Sequence, residues 1–191
     1  DECVGRVLDA VEARGLTQRT LVIFLSDHGH STEDRAFGGG GNAGRYRGHK
    51  ETLWEGGIRV PCIASCPGLI PSGQVRQQPA IAMDWLPTMA EICDVPLPDD
   101  RPIDGRSLSG VLQSDDAPAP HESLHWVHYD GTFAQRKGRW KLVSDPEGHW
   151  LSDLQADPGE RENRALDEPD RVRAMIGVHN AWLRNVTGST P

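Results

Sequence analysis

The 191-residue chain is short of what several functional classes require. It has four cysteines, Cys3, Cys62, Cys66 and Cys93, and no two stand in the C-x-x-C spacing of a zinc knuckle. Cys62 and Cys66 fall on one expected strand, pointing the same way but too far apart along it for an easy disulfide, and read as small buried hydrophobes. Basic residues are outnumbered 20 to 28 by acidic ones, leaving a net charge of −8, which argues against a general polyanion binder and hence against a nucleic-acid partner. No apolar run is long enough to span a bilayer, and Asp1-Glu2-Cys3-Val4-Gly5-Arg6 lacks the layout of a signal peptide. Internal repeats are absent.

Against that background one segment stands out. Residues 20 to 29, Thr-Leu-Val-Ile-Phe-Leu-Ser-Asp-His-Gly, are an apolar run ending on a carboxylate, an imidazole and a glycine. Val22 to Leu25 have the β-branched and aromatic character of a strand buried on both faces, as in a parallel sheet under helices. Ligands of open α/β sheets bind at the carboxyl ends of strands, where Asp27 and His28 fall. Both are metal ligands by type, and Gly29 lets the backbone turn away without crowding them. A helix cap beside a surface histidine is the competing explanation of the same pair.

Before this strand, Val4, Val7, Leu8 and Val11 recur at helical spacing up to Gly15. After it, Ser31 to Gly48 is polar and glycine-rich, with four consecutive glycines at 38 to 41, and is expected to be a long surface loop. Ile58 to Ser65 reads as a second buried strand entered through Gly56-Gly57, and Ile81 opens a helix whose first turn Asp84 can cap. Leu108 to Leu112 suggests a short helix, and Ser114 to Pro120 is the best linker. These features divide the chain into an α/β portion at 1–113, a linker at 114–120 and a small α+β portion at 121–191. The last is expected to be antiparallel hairpins, Leu124–Tyr129, Thr132–Arg136, Trp140–Val143 and Trp150–Leu154, packed on an amphipathic helix, Pro169 to Leu183.

Lys50 closes the glycine-rich loop and could set a point charge on an oxyanion while Gly56-Gly57 allow close backbone approach. A solvated loop lysine is the plainer reading. Around it lie weaker substrate-binding candidates: His49, which could protonate a leaving group, Arg45 and Arg47, which could read anionic sugars, and Trp54, four residues on. Arg59 is better explained by an ion pair with a carboxylate such as Glu55.

Taken in order, Asp27-His28-Gly29, the glycine-rich excursion, Gly48-His-Lys-Glu-Thr-Leu-Trp-Glu-Gly-Gly-Ile-Arg-Val-Pro61 and Cys66-Pro67-Gly68 resemble the C-terminal half of the type I sulfatases, near the arylsulfatase A and N-acetylgalactosamine-6-sulfatase branch of the alkaline phosphatase superfamily. The likeness continues through Met83-Asp-Trp-Leu-Pro-Thr88, Ile103-Asp-Gly-Arg-Ser-Leu108, Trp140-Lys141-Leu142 and Leu151 to Glu160. It implies an α/β fold, the C-terminal part of an alkaline-phosphatase-like mixed sheet flanked by helices plus a small antiparallel sheet on a C-terminal helix. It further implies that Asp27 and His28 help hold a divalent cation, usually calcium, that Lys50 contacts sulfate, and that the substrate is a sulfated glycan or small molecule. Many relatives carry asparagine in place of His28, which leaves manganese as an alternative ion. An exported or periplasmic location is the family's common setting.

The family's nucleophile is a formylglycine made from the first residue of Cys/Ser-x-Pro-x-Arg, and no cysteine here begins that motif; Ser65-Cys66-Pro67-Gly68-Leu69 comes nearest and lacks the arginine. The chain is therefore expected to be a C-terminal portion, inactive alone, with the formylglycine in a missing N-terminal part and self-association through a truncated sheet. A phosphate or phosphonate monoester hydrolase of the same superfamily and a noncatalytic protein that binds anionic glycans or pairs with another subunit are the alternatives.

Overall fold

A computed structural model describes residues 1–34 and 37–188. The chain groups into two compact units that are discontinuous in sequence: residues 1–26 with 61–121, and residues 27–60 with the segment from 122 onward. The linker expected at 114–120 lies at the C-terminal edge of the first unit. Nothing in the composition signalled that 27–60 would pack with the hairpins.

In the first unit, α1 (Glu2–Glu12) precedes β1 (Val22–Leu25), which pairs with β2 (Cys62–Ser65). The pairing is antiparallel, Val22 opposite Ser65 and Leu25 opposite Cys62, and Phe24 and Leu25 are exposed. The expectation of a strand buried on both faces in a parallel arrangement is corrected here: an apolar run specifies a strand but not its partner or direction. β2 also begins later than Ile58, because Glu55–Ile58 forms one turn of helix, α2, and Pro61 has no N–H to donate to a ladder. Cys66 is buried just past the strand, whereas Cys62 is exposed and all four cysteines are free.

A 3₁₀ turn, Ala82–Asp84, leads into α3 (Trp85–Ile92), and α4 (Ser109–Gln113) follows. Asp84 is fully buried and does more than cap. Its Oδ2 accepts the Ile81 N–H at 2.9 Å and its Oδ1 accepts the Arg106 N–H at 2.8 Å, with His121 Nε2 2.6 Å away. Thr88 Oγ1 then accepts the Leu108 N–H, so one buried carboxylate and one hydroxyl tie α3 to the segment leading into α4.

The second unit is built on a four-stranded antiparallel meander, β3 (Leu124–Val127), β4 (Phe133–Lys137), β5 (Trp140–Asp145) and β6 (Gly148–Asp153), as the alternating hairpins predicted. Its register sets Gln135, Leu142 and Leu151 side by side on one face. There Leu142 and Leu151 meet Val172 and Met175 of α5 (Pro169–Thr187) to form the core, flanked by Phe133, Trp140 and Ile176. The alternate positions, among them Lys141 and Ser152, look the other way. Lys141 is wholly buried on that side, against the segment that carries Lys50.

Candidate active site

Asp27, His28 and Lys50 all belong to the second unit. Two backbone hydrogen bonds join the Asp27-His28-Gly29 turn to the Lys50 segment: Gly29 N–H donates to Gly57 O at 2.8 Å and Lys50 N–H donates to His30 O at 2.9 Å. This stitching demands glycine at 29, where an added Cβ would stand 1.9 Å from the Gly56 carbonyl oxygen.

The segment is fixed from below by buried charge. Glu55, the first residue of α2, is 2% exposed, and its Oε1 accepts from Lys141 Nζ at 3.0 Å. Lys141 Nζ lies equally far from Glu160 Oε1, and Glu160 Oε2 accepts the Glu55 N–H at 2.6 Å. Burial pushes the Glu160 carboxyl above its ordinary pKa, opposed by the Lys141 ammonium. Arg59 Nη1, 3.5 Å from Glu55 Oε2, adds the ion pair expected of it. Arg47 lies with its guanidinium 3.7 Å from the Trp54 ring centre and 4.5 Å from that of Trp150, while its Nη1 donates to the Glu160 carbonyl. Lys141 and Glu160 fall in segments that carry the family likeness, but nothing in the sequence assigned them a role, because charged residues on a strand and in a turn read as solvated.

Among the candidates, Asp27 is open to solvent, its side chain 81% exposed. Its Oδ1 accepts the His28 N–H, and its Oδ2 faces His28 Nε2 at 3.2 Å. His28 Nδ1 lies 2.8 Å from Gly29 O, a contact that requires the proton on Nδ1. In the neutral ring Nε2 then carries a lone pair aimed beside a carboxylate oxygen, a donor set that suits a divalent cation. Among the described residues no cluster of three or more His, Cys, Asp or Glu side chains could hold a metal ion. His49 is turned inward, its Nδ1 2.8 Å from Lys50 O and its N–H donating to Thr52 Oγ1. Arg45 is exposed, 5.4 Å over the Tyr46 ring. Arg47 and Trp54 are thus brought together, Arg45 stays apart at the surface, and Lys50 stands over residues 30 to 33.

A family model described as Sulfatase matches residues 1–95. The chain is 43% identical to steryl-sulfatase of Mus musculus over 95% of its own length and 36% of that protein. It is 34% identical to arylsulfatase A of Homo sapiens over its full length and 39% of that protein. The chain thus spans little more than a third of the length of these curated relatives. A solved structure of a protein in complex with its substrate D-glucosamine-2-N,6-O-disulfate superposes with a TM-score of 0.79 at 22% identity, covering all of this chain and 39% of the other, and shows a shared fold.

Proposed function

Since the chain belongs to the type I sulfatase family, we propose that residues 27–59 supply the sulfate-gripping share of a sulfuric ester hydrolase site. The observation that carries this reading is the pair of backbone hydrogen bonds, Gly29 to Gly57 and Lys50 to His30, which join the Asp27-His28 pair and the Lys50 segment in one unit. Lys50 places an ammonium against a nonbridging sulfate oxygen. Cleavage of a sulfate ester moves negative charge onto the nonbridging and leaving oxygens, so that ammonium stabilises the transition state more than the ground state. Asp27 and His28 would hold part of a divalent cation, calcium or manganese, which supplies Lewis-acid polarisation of sulfate when bound. The attacking group would be the family's formylglycine, whose Cys/Ser-x-Pro-x-Arg motif does not occur in these 191 residues, so the chain alone binds sulfate but does not turn it over. The substrate is a sulfated carbohydrate or an aryl sulfate. Exposed Val7, Phe24 and Ile63 in the first unit support self-association of the isolated chain.

Calorimetric titration with inorganic sulfate tests the reading. Binding is expected to fall at least tenfold in Lys50→Ala. Release of nitrophenol from nitrophenyl sulfate by the purified chain, undiminished in Lys50→Ala, would overturn it.

A further inference from the structure

The Lys50 ammonium is engaged within the chain itself. Its Nζ lies 2.5 Å from Glu33 Oε2, and the same oxygen accepts a hydrogen bond from Ser31 Oγ at 3.0 Å. Two donors therefore converge on one anionic oxygen. The Lys50 and Glu33 side chains are 20% and 27% exposed, so water and salt screen the pair less than a surface salt bridge.

Backbone geometry sustains the contact. Glu33 N–H donates back to Ser31 Oγ at 3.2 Å, and the Lys50 N–H is held by His30 O. From the other side the glycine-rich loop closes on the same stretch: Gly39, at φ +78°, runs so near Ser31 that an added Cβ would lie 1.5 Å from its carbonyl oxygen. Residues 30 to 33 are thus fixed between the loop and the lysine. The carboxylate does not meet Lys50 through a chance swing of two long side chains.

Resting on the sulfate-gripping reading of Lys50, the geometry points to Glu33 as an intramolecular competitor of the substrate: its carboxylate fills the oxyanion position defined by Lys50 Nζ and Ser31 Oγ, and a sulfate ester enters by displacing it. A carboxylate oxygen and a sulfate oxygen make the same charge-assisted hydrogen bonds, so one can stand in for the other. A lysine already paired offers no net charge to an approaching anion. Small anions are held weakly, while a sulfate ester whose remaining groups gain contacts elsewhere displaces Glu33. Ser31 becomes the second donor to the displaced position, a specificity residue that motif spacing does not mark.

The chain has three lysines, Lys50, Lys137 and Lys141, so lysine side-chain NMR signals are few, and Lys50→Arg assigns the one of interest. The Lys50 signal is followed as inorganic sulfate is added to the unaltered protein and to Glu33→Gln, with Glu33→Ala as a second variant should the first fail to fold. Half-saturation is expected at about fivefold lower sulfate without the carboxylate. Adding Ser31→Ala to Glu33→Gln should raise it again by about fivefold. Equal or weaker binding in both Glu33 variants overturns the competitor role and leaves the Lys50 reading standing. A Lys50 signal unmoved by sulfate in every protein removes that reading and the competitor with it.

Discussion

Replacing Lys141 with methionine removes the one ammonium set between two buried carboxylates. Its Nζ stands 3.0 Å from both Glu55 Oε1 and Glu160 Oε1, and none of the three side chains is more than 2% exposed. At an effective dielectric of about 20, each contact is worth roughly 5 kcal/mol in gross Coulomb attraction, most of it offsetting the desolvation of three charges. The net cost of the substitution is therefore the cost of stranding the partners, about 3–5 kcal/mol. Against a typical domain stability of about 5–15 kcal/mol, such a loss is readily measured. Urea unfolding followed by tryptophan fluorescence reports it, since Trp54 and Trp150 flank Arg47 beside the network. Adding Glu160→Gln should recover at least about 1 kcal/mol, because the amide oxygen can still accept the Glu55 N–H while one stranded charge disappears. The Glu160 carboxyl is already raised by burial, so the folded Lys141→Met variant takes up a proton before the unfolded chain does, and its deficit should shrink as the pH falls toward the usual carboxylate range. A Lys141→Met penalty under about 1 kcal/mol, or a double variant worse than the single, would refute the reasoning.

Acid should also weaken the native protein through His125 on β3 and His179 on α5. His125 Nδ1 lies 3.3 Å from His179 Nδ1, and burial together with His179 depresses the His125 pKa to about 4. The unfolded imidazole takes its proton near 6.5, so stability should fall between about pH 6.5 and 4; partial exposure reduces the full-shift value of roughly 3 kcal/mol to about 1–2 kcal/mol. Urea midpoints at pH 7 and pH 5 should converge in His125→Phe, which keeps a ring over Trp182. Gly29→Ala forces a Cβ into the Gly56 carbonyl and should cost at least about 2 kcal/mol and abolish the Lys50 response to sulfate, as denaturant titration and NMR would show. Asp84→Ala strands the Ile81 and Arg106 N–H groups and should cost about 3 kcal/mol in thermal or urea unfolding of the first unit.

The second unit's meander was legible because the chemistry that specifies it is local. Alternating side chains and turns at Gly131, Gly138 and Asp145 to Gly148 name each strand's neighbour, and Val172, Met175 and Ile176 name the helix face that covers them. The antiparallel partnership of β1 with β2 was not legible, since 36 residues lie between Leu25 and its partner Cys62 and no tight turn joins the two strands. Family likeness marked Lys50, Asp27 and His28, but it carried no sign of what holds them. Glu33, Lys141 and Glu160 each look like surface charge, and Glu55 like the partner of Arg59 alone, until the distances between them are measured.

Vectorial synthesis meets an unusual obstacle in the network under Lys50. Glu55 waits for a partner 105 positions downstream, and Arg47 for one 113 positions downstream. At about 5–20 residues per second the segment spends on the order of ten seconds with the Glu55 N–H and the Arg47 Nη1 still without the Glu160 oxygens that accept from them. A nascent chain stalled before Glu160 would therefore carry the Lys50 segment without the carboxylate and carbonyl that fix it from below, so competence to hold an anion waits on residues more than a hundred positions beyond the segment itself.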